Sequence, residues 1–198
     1  MSGYHYVLMQ TFLDNCLYHY NASKEHVRVE KYVLVMEGFM DVIRASTIGV
    51  KNTVALMGTA LTEEQISLLK KLSLNVYLCL DGDNAGIDAT IHNGELLEKA
   101  GLTVKVVVLK DNDDPDTFIL KYGKEKFISL IENALNYSDF KISRLRNGVN
   151  FASDLELSQY VNNVIKETSL LDDEIRREII LKKLATETNL SYNTLEKN

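Results

Sequence analysis

The first two thirds of the chain alternate between short apolar runs and longer amphipathic stretches. Four runs of apolar residues predict buried β-strands, at residues 32–36, 52–56, 75–80 and 103–109. The segments that follow the first three runs have apolar positions at helical spacing and therefore predict helices. Because the strands are apolar throughout and alternate with helices, the sequence predicts an α/β fold whose mostly parallel, four-stranded sheet is flanked by helices.

The last third of the chain has a different pattern, in which the strand signal disappears after Asp116. Helical spacing continues to residue 188, and Gly123 interrupts it once. The predicted helices are 116–122, 124–135, 137–147, 153–168 and 172–188. We therefore expect a helical or irregular segment at 1–31, an α/β domain at 32–123 and an all-helical subdomain at 124–198.

Composition and charge restrict the class of protein. Apolar residues make up 45% and charged residues 25% of the chain, as in an ordinary soluble domain. No apolar run approaches the ~20 residues of a membrane span, so we expect no membrane partner. The two cysteines, Cys16 and Cys79, form no metal-binding pattern, which favours a reducing, cytoplasmic location. The net charge of −6 argues against a stand-alone nucleic-acid binder that relies on basic residues.

Carboxylates follow three of the four predicted strands. Glu37 follows the first strand and Asp81 and Asp83 follow the third, while the fourth is followed by Asp111, Asp113, Asp114 and Asp116. Parallel strands bring these acids to one edge of the sheet, where ligands collect in open α/β folds. Oxygen ligands without Cys or His favour Mg²⁺ or Mn²⁺, and two such ions ~3.5–4 Å apart are a common device for phosphoryl transfer. The sequence therefore predicts a site for two or more divalent ions.

Other residues near these acids have supporting parts in this prediction. Asp41 lies four residues after Glu37 and could point at the same site. Gly82 permits a tight turn, and Gly86 lets a helix start close to the sheet. Gly58 and Thr59, before the next helix, could hold a phosphate.

Each acidic feature by itself also has a simple structural explanation. Glu37-Gly38 alone is a strand end, and Asp81-Gly82-Asp83 alone is a turn. Asp114-Pro115-Asp116 alone is a helix N-cap followed by proline. Their occurrence together and in order at one sheet edge favours the metal site.

Four short segments carry a resemblance to a known family. EGFMDV, GTALT, DGDNAG and DPDTF, beginning at Glu37, Gly58, Asp81 and Asp114, resemble the signature segments of the Toprim domain. The general pattern is shared with topoisomerases, nucleases and RecR-like repair proteins. The full set is similar to the version in bacterial DNA primases of the DnaG type. The resemblance covers about residues 18–135, and the helical tail is similar to the subdomain that ends the primase polymerase region.

The resemblance implies an activity and a role for each acid. The activity would be synthesis of RNA primers on a single-stranded DNA template from ribonucleoside triphosphates, a nucleotidyl transfer that assists DNA replication. The catalytic residues would be Glu37, Asp81 and Asp83. Metal binding would involve these three together with Asp114 and Asp116. The supporting residues would be Asp41, Gly38, Gly58, Thr59, Gly82 and Gly86.

The chain also departs from a complete primase of this type. It has no zinc-binding domain, and residues 1–31 would be only a remnant of the N-terminal polymerase subdomain. The resemblance implies a replicative helicase as partner, through a region that we expect to be absent here. We therefore expect a fragment of a catalytic core with little activity alone. The alternatives are a Toprim nuclease and a Toprim protein of DNA repair or recombination.

One basic cluster precedes the first predicted strand. Lys24, Arg28 and Lys31 are candidates for contacts with nucleic acid. The simpler explanation is a solvated helix face, and the sequence alone leaves both open.

Overall fold

The structure, a computed structural model, describes residues 16–58, 60–110 and 112–196. The chain divides into two compact units, and the boundary lies between Tyr137 and Ser138. The first unit contains all of the β-structure found in the described residues, and the second is helical.

The first unit alternates strands and helices as the sequence predicts. Its strands are β1 (Val33–Met36), β2 (Thr53–Ala55), β3 (Asn75–Leu78), β4 (Thr103–Val106) and β5 (Leu135–Asn136). Its helices are α1 (Tyr20–Glu30), α2 (Phe39–Thr47), α3 (Glu63–Leu72), α4 (Asn84–Lys99) and α5 (Pro115–Glu132). The strand order is β2-β1-β3-β4-β5; β1 to β4 are parallel, and β5 pairs antiparallel with β4. The α/β prediction is confirmed, with β5 as a fifth strand beyond the four predicted.

Strands β1 and β2 are buried throughout, β3 and β4 bury every second residue, and helices cover both faces of the sheet. One apolar cluster joins α2 and α5 to one face, through residues such as Val42, Phe118 and Phe127. The direction of the chain reverses between the β1–β2 and β2–β3 connections. Right-handed crossovers therefore place α3 and α4 on the opposite face from α2. There Leu69 and Leu97 are fully buried.

Local signals in the sequence fix several helix ends. Thr62 and Gln65 form the predicted capping box of α3: the amide of Gln65 donates to Thr62 Oγ1, and the amide of Thr62 donates to Gln65 Oε1, both at 3.2 Å. Gly123 breaks α5, as predicted, with a φ of 82° that a residue with a side chain rarely adopts. The chain therefore changes direction inside α5 without leaving the sheet unit.

The extent of the first unit differs from the predicted 32–123 domain. Residues 124–132 form the second half of α5, in which Phe127 and Ile131 are buried in the sheet core. Residues 20–30 form α1, in which Val27 is buried. Helices with residues buried against the sheet unit therefore lie on both sides of residues 32–123. Residues 1–15 of the predicted 1–31 segment lie outside the described residues.

The second unit is a small helical bundle with its own core. It contains most of α6 (Tyr137–Arg146) and all of α7 (Asp154–Ser169), α8 (Glu174–Thr188) and α9 (Tyr192–Glu196). Tyr160, Val164 and Leu184 are among its buried core residues. The N-cap of α8 is Asp173, whose carboxylate accepts the amide of Arg176 at 3.0 Å. In the described residues no helix is both long and apolar enough to span a bilayer.

Candidate functional site

The predicted acids lie at the carboxyl edge of the sheet, in the segments after β1, β3 and β4. Five of them, from three separate parts of the sequence, line one open cleft of about 450 Å³. These residues are Glu37, Asp41, Asp81, Asp114 and Asp116. The cleft is shared with the apolar side chains of Phe39, Met40 and Met57. The sheet topology thus brings together carboxylates that are up to 79 residues apart in the sequence.

Glu37 and Asp81 form the centre of this group. Glu37 follows β1 directly, and its Oε1 lies 3.4 Å from the amide nitrogen of Asp81. Burial, and then the charge of Glu37, raise the pKa of Asp81 from its ordinary 3.8 to about 7. Burial also raises the pKa of Glu37, and the charges of Asp83 and Asp41 add to the effect. Without a counter-ion, these side chains resist carrying their charges together.

Asp41 links two of the loops that form the cleft. It is buried, and its carboxylate accepts the amide of Gly38 at 3.0 Å and the amide of Asp116 at 3.2 Å. Both bonds lower its pKa, but burial outweighs them and the pKa is raised. The Asp41 side chain therefore connects the segment after β1 directly to the segment after β4.

Asp114 and Asp116 begin α5 and are held in different ways. Asp114 is the N-cap of α5, and its Oδ1 accepts the amide of Thr117 at 2.6 Å. Asp116 forms an ion pair with Arg44 of α2, with 2.5 Å between Arg44 Nε and Asp116 Oδ1. Both of these contacts use Oδ1, so the Oδ2 atoms of Asp114 and Asp116 are the oxygens not used in them. The sequence analysis did not anticipate Arg44, because nothing in the spacing links it to a residue 72 positions away.

Asp83 occupies a different position from the other acids. It is exposed, and its Oδ1 accepts the amide of Gly86 at 2.8 Å as the N-cap of α4. Its charge still raises the pKa of both Glu37 and Asp81, which shows that it lies within electrostatic reach of the centre.

Close backbone contacts explain two of the predicted glycines. A Cβ at Gly86 would lie 2.2 Å from the carbonyl oxygen of Asp81, so α4 starts directly against the acidic turn. A Cβ at Gly82 would lie 3.2 Å from the carbonyl oxygen of Asp113, which also accepts the Gly82 amide at 2.9 Å.

The remaining predicted supporting residues are placed as follows. Gly38 donates its amide to Asp41, and Gly58 lines the cleft with no atom within 4 Å of an added Cβ. Thr59, the other predicted supporting residue, lies outside the described residues.

The predicted basic cluster lies on and directly after α1. This helix runs from the carboxyl edge of the sheet, where the acids lie, toward the amino edge. Tyr18, before α1, pairs with Ala55 at the carboxyl end of β2, whereas Lys31, after α1, precedes the amino end of β1. Arg28 pairs with Glu25 on the exposed face of α1, and the Lys24 ammonium lies 4.8 Å from the ring centroid of Tyr20. Of the three, Lys24 is nearest the start of the helix.

The donor set of the cleft fits a hard divalent cation. It consists of carboxylate oxygens, and burial, followed by the charges of neighbouring carboxylates, raises the pKa of Asp81; a cation would offset both effects. Across residues 16–58, 60–110 and 112–196, no three Asp, Glu, His or Cys side chains already converge as ligands of one ion.

Comparison with known proteins identifies two segments. Residues 34–119 match the Toprim-like family, and residues 138–191 match the DnaB-helicase binding domain of primase. A DNA primase of Listeria monocytogenes is 40% identical over 91% of this chain, and one of Halalkalibacterium halodurans is 38% identical over 91%. The chain spans only 29% and 30% of these two proteins.

Solved structures give the same result. The chain is similar to the Aquifex aeolicus primase, solved with its zinc-binding and RNA polymerase domains, with a TM-score of 0.68 and 30% identity. That match covers 92% of this chain and 43% of the other. A DnaG primase catalytic domain bound to single-stranded DNA matches with a TM-score of 0.71 and 27% identity, over 92% of this chain and 59% of that one.

The sheet topology, the acidic cleft and the family match agree on the class: residues 34–119 form a Toprim-like domain. The chain belongs to the bacterial DNA primases of the DnaG type, of which it contains the Toprim-like domain and a segment that matches the helicase-binding domain.

One expectation is overturned by these comparisons. The sequence analysis expected the helicase-binding region to be absent, but residues 138–191 match the family model for that region. The error arose because helical spacing in 137–188 carries no signal that distinguishes a helicase-binding bundle from another helical subdomain.

Proposed function

We propose that this chain carries the metal-dependent nucleotidyl-transfer centre of a DNA primase, which makes RNA primers on single-stranded DNA for replication. The observation that carries the proposal is the convergence of five carboxylates in one cleft, with the pKa of Asp81 raised to about 7. The relatives of this sequence are primases, but the chain spans less than a third of them. The activity therefore belongs to the proposal and not to the findings.

In the proposed site, Mg²⁺ or Mn²⁺ ions would supply Lewis-acid stabilisation of the triphosphate and of the attacking 3′-hydroxyl. Asp81, Asp83, Asp114 and Asp116 are the proposed ligands. Glu37 lies beside Asp81, with burial favouring its protonated form, and is proposed to ligate an ion and to exchange a proton at its carboxylate.

Asp41 and Arg44 position the ligands in this proposal. Asp41 holds the backbone at Asp116, and Arg44 holds the Asp116 side chain. Gly86 and Gly82 keep the backbone close enough for the acidic turn to form. None of these four contacts requires an ion to be present.

The proposed partners are a single-stranded DNA template, ribonucleoside triphosphates and, through residues 138–191, a replicative helicase. The match of 138–191 to the helicase-binding family supports the last of these. Lys24, Arg28 and Lys31 stay candidates for weak contact with nucleic acid. A role in replication would place the chain in the cytoplasm.

The metal site is tested by calorimetric titration of Mn²⁺ and Mg²⁺ into the 198-residue chain and two variants. Asp81→Asn removes a proposed ligand, whereas Asp172→Asn removes an equal charge from an exposed loop of the second unit. Saturable binding that Asp81→Asn abolishes and Asp172→Asn retains is expected. Equal binding by all three proteins would contradict the assignment.

The reaction class is tested by product. A longer protein containing this sequence is expected to incorporate labelled ribonucleotides into primers on single-stranded DNA. The 198-residue chain alone is expected to give little product. Cleavage of the DNA without primers would instead support the nuclease alternative, which uses the same acids to activate water. Assembly of DNA-repair complexes without either product would support the repair alternative.

A further inference from the structure

Three aromatic rings contact one another in sequence, and one of them, Phe39, lines the acidic cleft. Tyr18 packs edge to face against Phe39, with ring centroids 6.1 Å apart at 64°, and stacks on His19, with centroids 6.2 Å apart at 28°. The side chains of Tyr18 and Phe39 keep 37% and 44% of their surface exposed. We call Tyr18, His19 and Phe39 the aromatic shelf.

The backbone of the aromatic shelf is anchored to the sheet. Tyr18 exchanges two backbone hydrogen bonds with Ala55 of β2, at 3.0 and 3.2 Å. His19 Nδ1 lies 3.0 Å from the carbonyl oxygen of Thr53. Phe39 is the first residue of α2, directly after Gly38, whose amide is bonded to Asp41. A surface whose backbone is already fixed by hydrogen bonds loses little conformational entropy when a ligand binds to it.

Phe39 joins the aromatic shelf to the metal-ligand candidates. It lines the same cleft as Asp81 and Asp114, and it is only two residues from Glu37. A neighbouring apolar residue, Ile43, is as exposed as Phe39, at 42%, but is not among the residues that line the cleft. Exposure alone therefore does not distinguish Phe39; its position beside the carboxylates does.

We propose that the aromatic shelf binds a nucleobase, with Phe39 as the stacking surface. This inference rests on the proposed function, because it assumes that phosphates are held at the carboxylates through cations. A nucleotide combines a phosphate group, which needs such cations, with a flat and uncharged base. The cleft offers carboxylates and an exposed ring side by side, which matches both parts of that ligand.

The nucleobase has two sources, a free ribonucleoside triphosphate and a base of a single DNA strand. Both offer the same π face, and stacking on a ring accepts any base. Stacking on an aromatic ring contributes to binding for every base, so the loss of Phe39 is expected to weaken base-dependent binding about tenfold.

The experiment compares ligands that differ in their bases. In one arm, calorimetry measures ATP against inorganic tripolyphosphate in the presence of Mn²⁺. In the other, fluorescence anisotropy measures a labelled single-stranded oligodeoxynucleotide against an abasic strand of equal length. The full chain is compared with Phe39→Ala, with Phe39→Tyr as the conservative variant and with Ile43→Ala as the matched control. Circular dichroism confirms that each variant is folded before it is titrated.

The ratio of affinities within each pair of ligands measures the contribution of the base. A drop of about tenfold in that ratio in Phe39→Ala, with normal ratios in Phe39→Tyr and Ile43→Ala, supports the proposal, and the arm that responds identifies the source. An unchanged ratio in both arms overturns it, as does the absence of any base-dependent binding by the parent chain; a protein segment then becomes the alternative occupant. Failure of the metal site has a different signature, because Mn²⁺ and tripolyphosphate binding by the parent chain is then lost, whereas failure of the stacking proposal alone leaves both intact.

Discussion

Replacing Asp81 by asparagine is expected to stabilise the metal-free protein while removing its response to divalent ions. Asparagine resembles the protonated carboxyl in shape and carries no charge. In the folded chain, burial and then the charge of Glu37 raise the pKa of Asp81 from 3.8 to about 7. The folded state thus opposes ionisation of this group more than the unfolded state does, and the substitution removes that opposition.

The size of the effect follows from the pKa shift. One pKa unit corresponds to 1.36 kcal/mol, so the full shift would be about 4 kcal/mol. Asp81 is only half-buried, and solvent screening reduces this figure to about 1–2 kcal/mol. Because the folded pKa is the higher one, the stability of the parent chain falls as pH rises from 3.8 to about 7. The advantage of Asp81→Asn should therefore be small at pH 4 and complete at pH 8.

The assay is urea unfolding of both proteins in EDTA at a series of pH values, followed by circular dichroism. Asp172→Asn serves as the control, because it removes one carboxylate from an exposed loop of the second unit. Addition of Mn²⁺ at pH 8 should stabilise the parent chain and leave Asp81→Asn unchanged. If Asp81→Asn is less stable than the parent at pH 8 in EDTA, the reasoning from carboxylate crowding is refuted.

Three further predictions concern packing and helix ends. Gly86→Ala places a Cβ 2.2 Å from a backbone carbonyl oxygen and should lower the free energy of unfolding by about 3 kcal/mol. Gly58→Ala, with open space around the added Cβ, should change the free energy of unfolding little. Urea titration of both variants checks these two expectations. Cys79 is fully buried, and burial raises the pKa of its thiol, so a thiol-specific reagent should label only the partly exposed Cys16 until the chain is unfolded; labelling of both before unfolding would contradict the buried position. Asp173→Ala removes the N-cap of α8 and should cost about 1 kcal/mol, measured as a lower thermal midpoint; no change would mean that the cap contributes nothing to the second unit.

The sequence predicts the first unit well wherever structure depends on local pattern. Continuous apolar runs identify β1 to β4, and the Thr62 capping box and Gly123 identify helix ends that the structure confirms. The short β5, Leu135–Asn136, has no such pattern. It consists of two residues that pair with β4, and the chain reaches β4 only after α5 has crossed the sheet. Because β5 forms only through pairing with a strand distant in the sequence, the local spacing of apolar residues does not predict it.

In the acidic site, too, local features can be predicted from the sequence and long-range contacts cannot. Strand ends predict that the acids gather at one edge, because parallel strands share their carboxyl ends. The partners of these acids cannot be predicted in this way: Arg44 reaches Asp116 because α2 packs against α5, and Lys121 pairs with the buried Asp113 within α5 and its preceding loop. Such pairings depend on side-chain directions after packing, which spacing along the chain does not specify.

Both edges of the sheet carry only a very short pairing. At one side, β2 is paired through a single bridge to Tyr18, and at the other, β4 is paired with the two residues of β5. A long unpaired strand edge would be a template on which a second molecule adds its own strand, the first step of aggregation. Pairings this short cover the backbone groups nearest the outside and leave too little length for a foreign strand to extend. The two-residue β5 thus presents a shorter edge than the four-residue β4 would, and so a poorer template for a strand of a second copy.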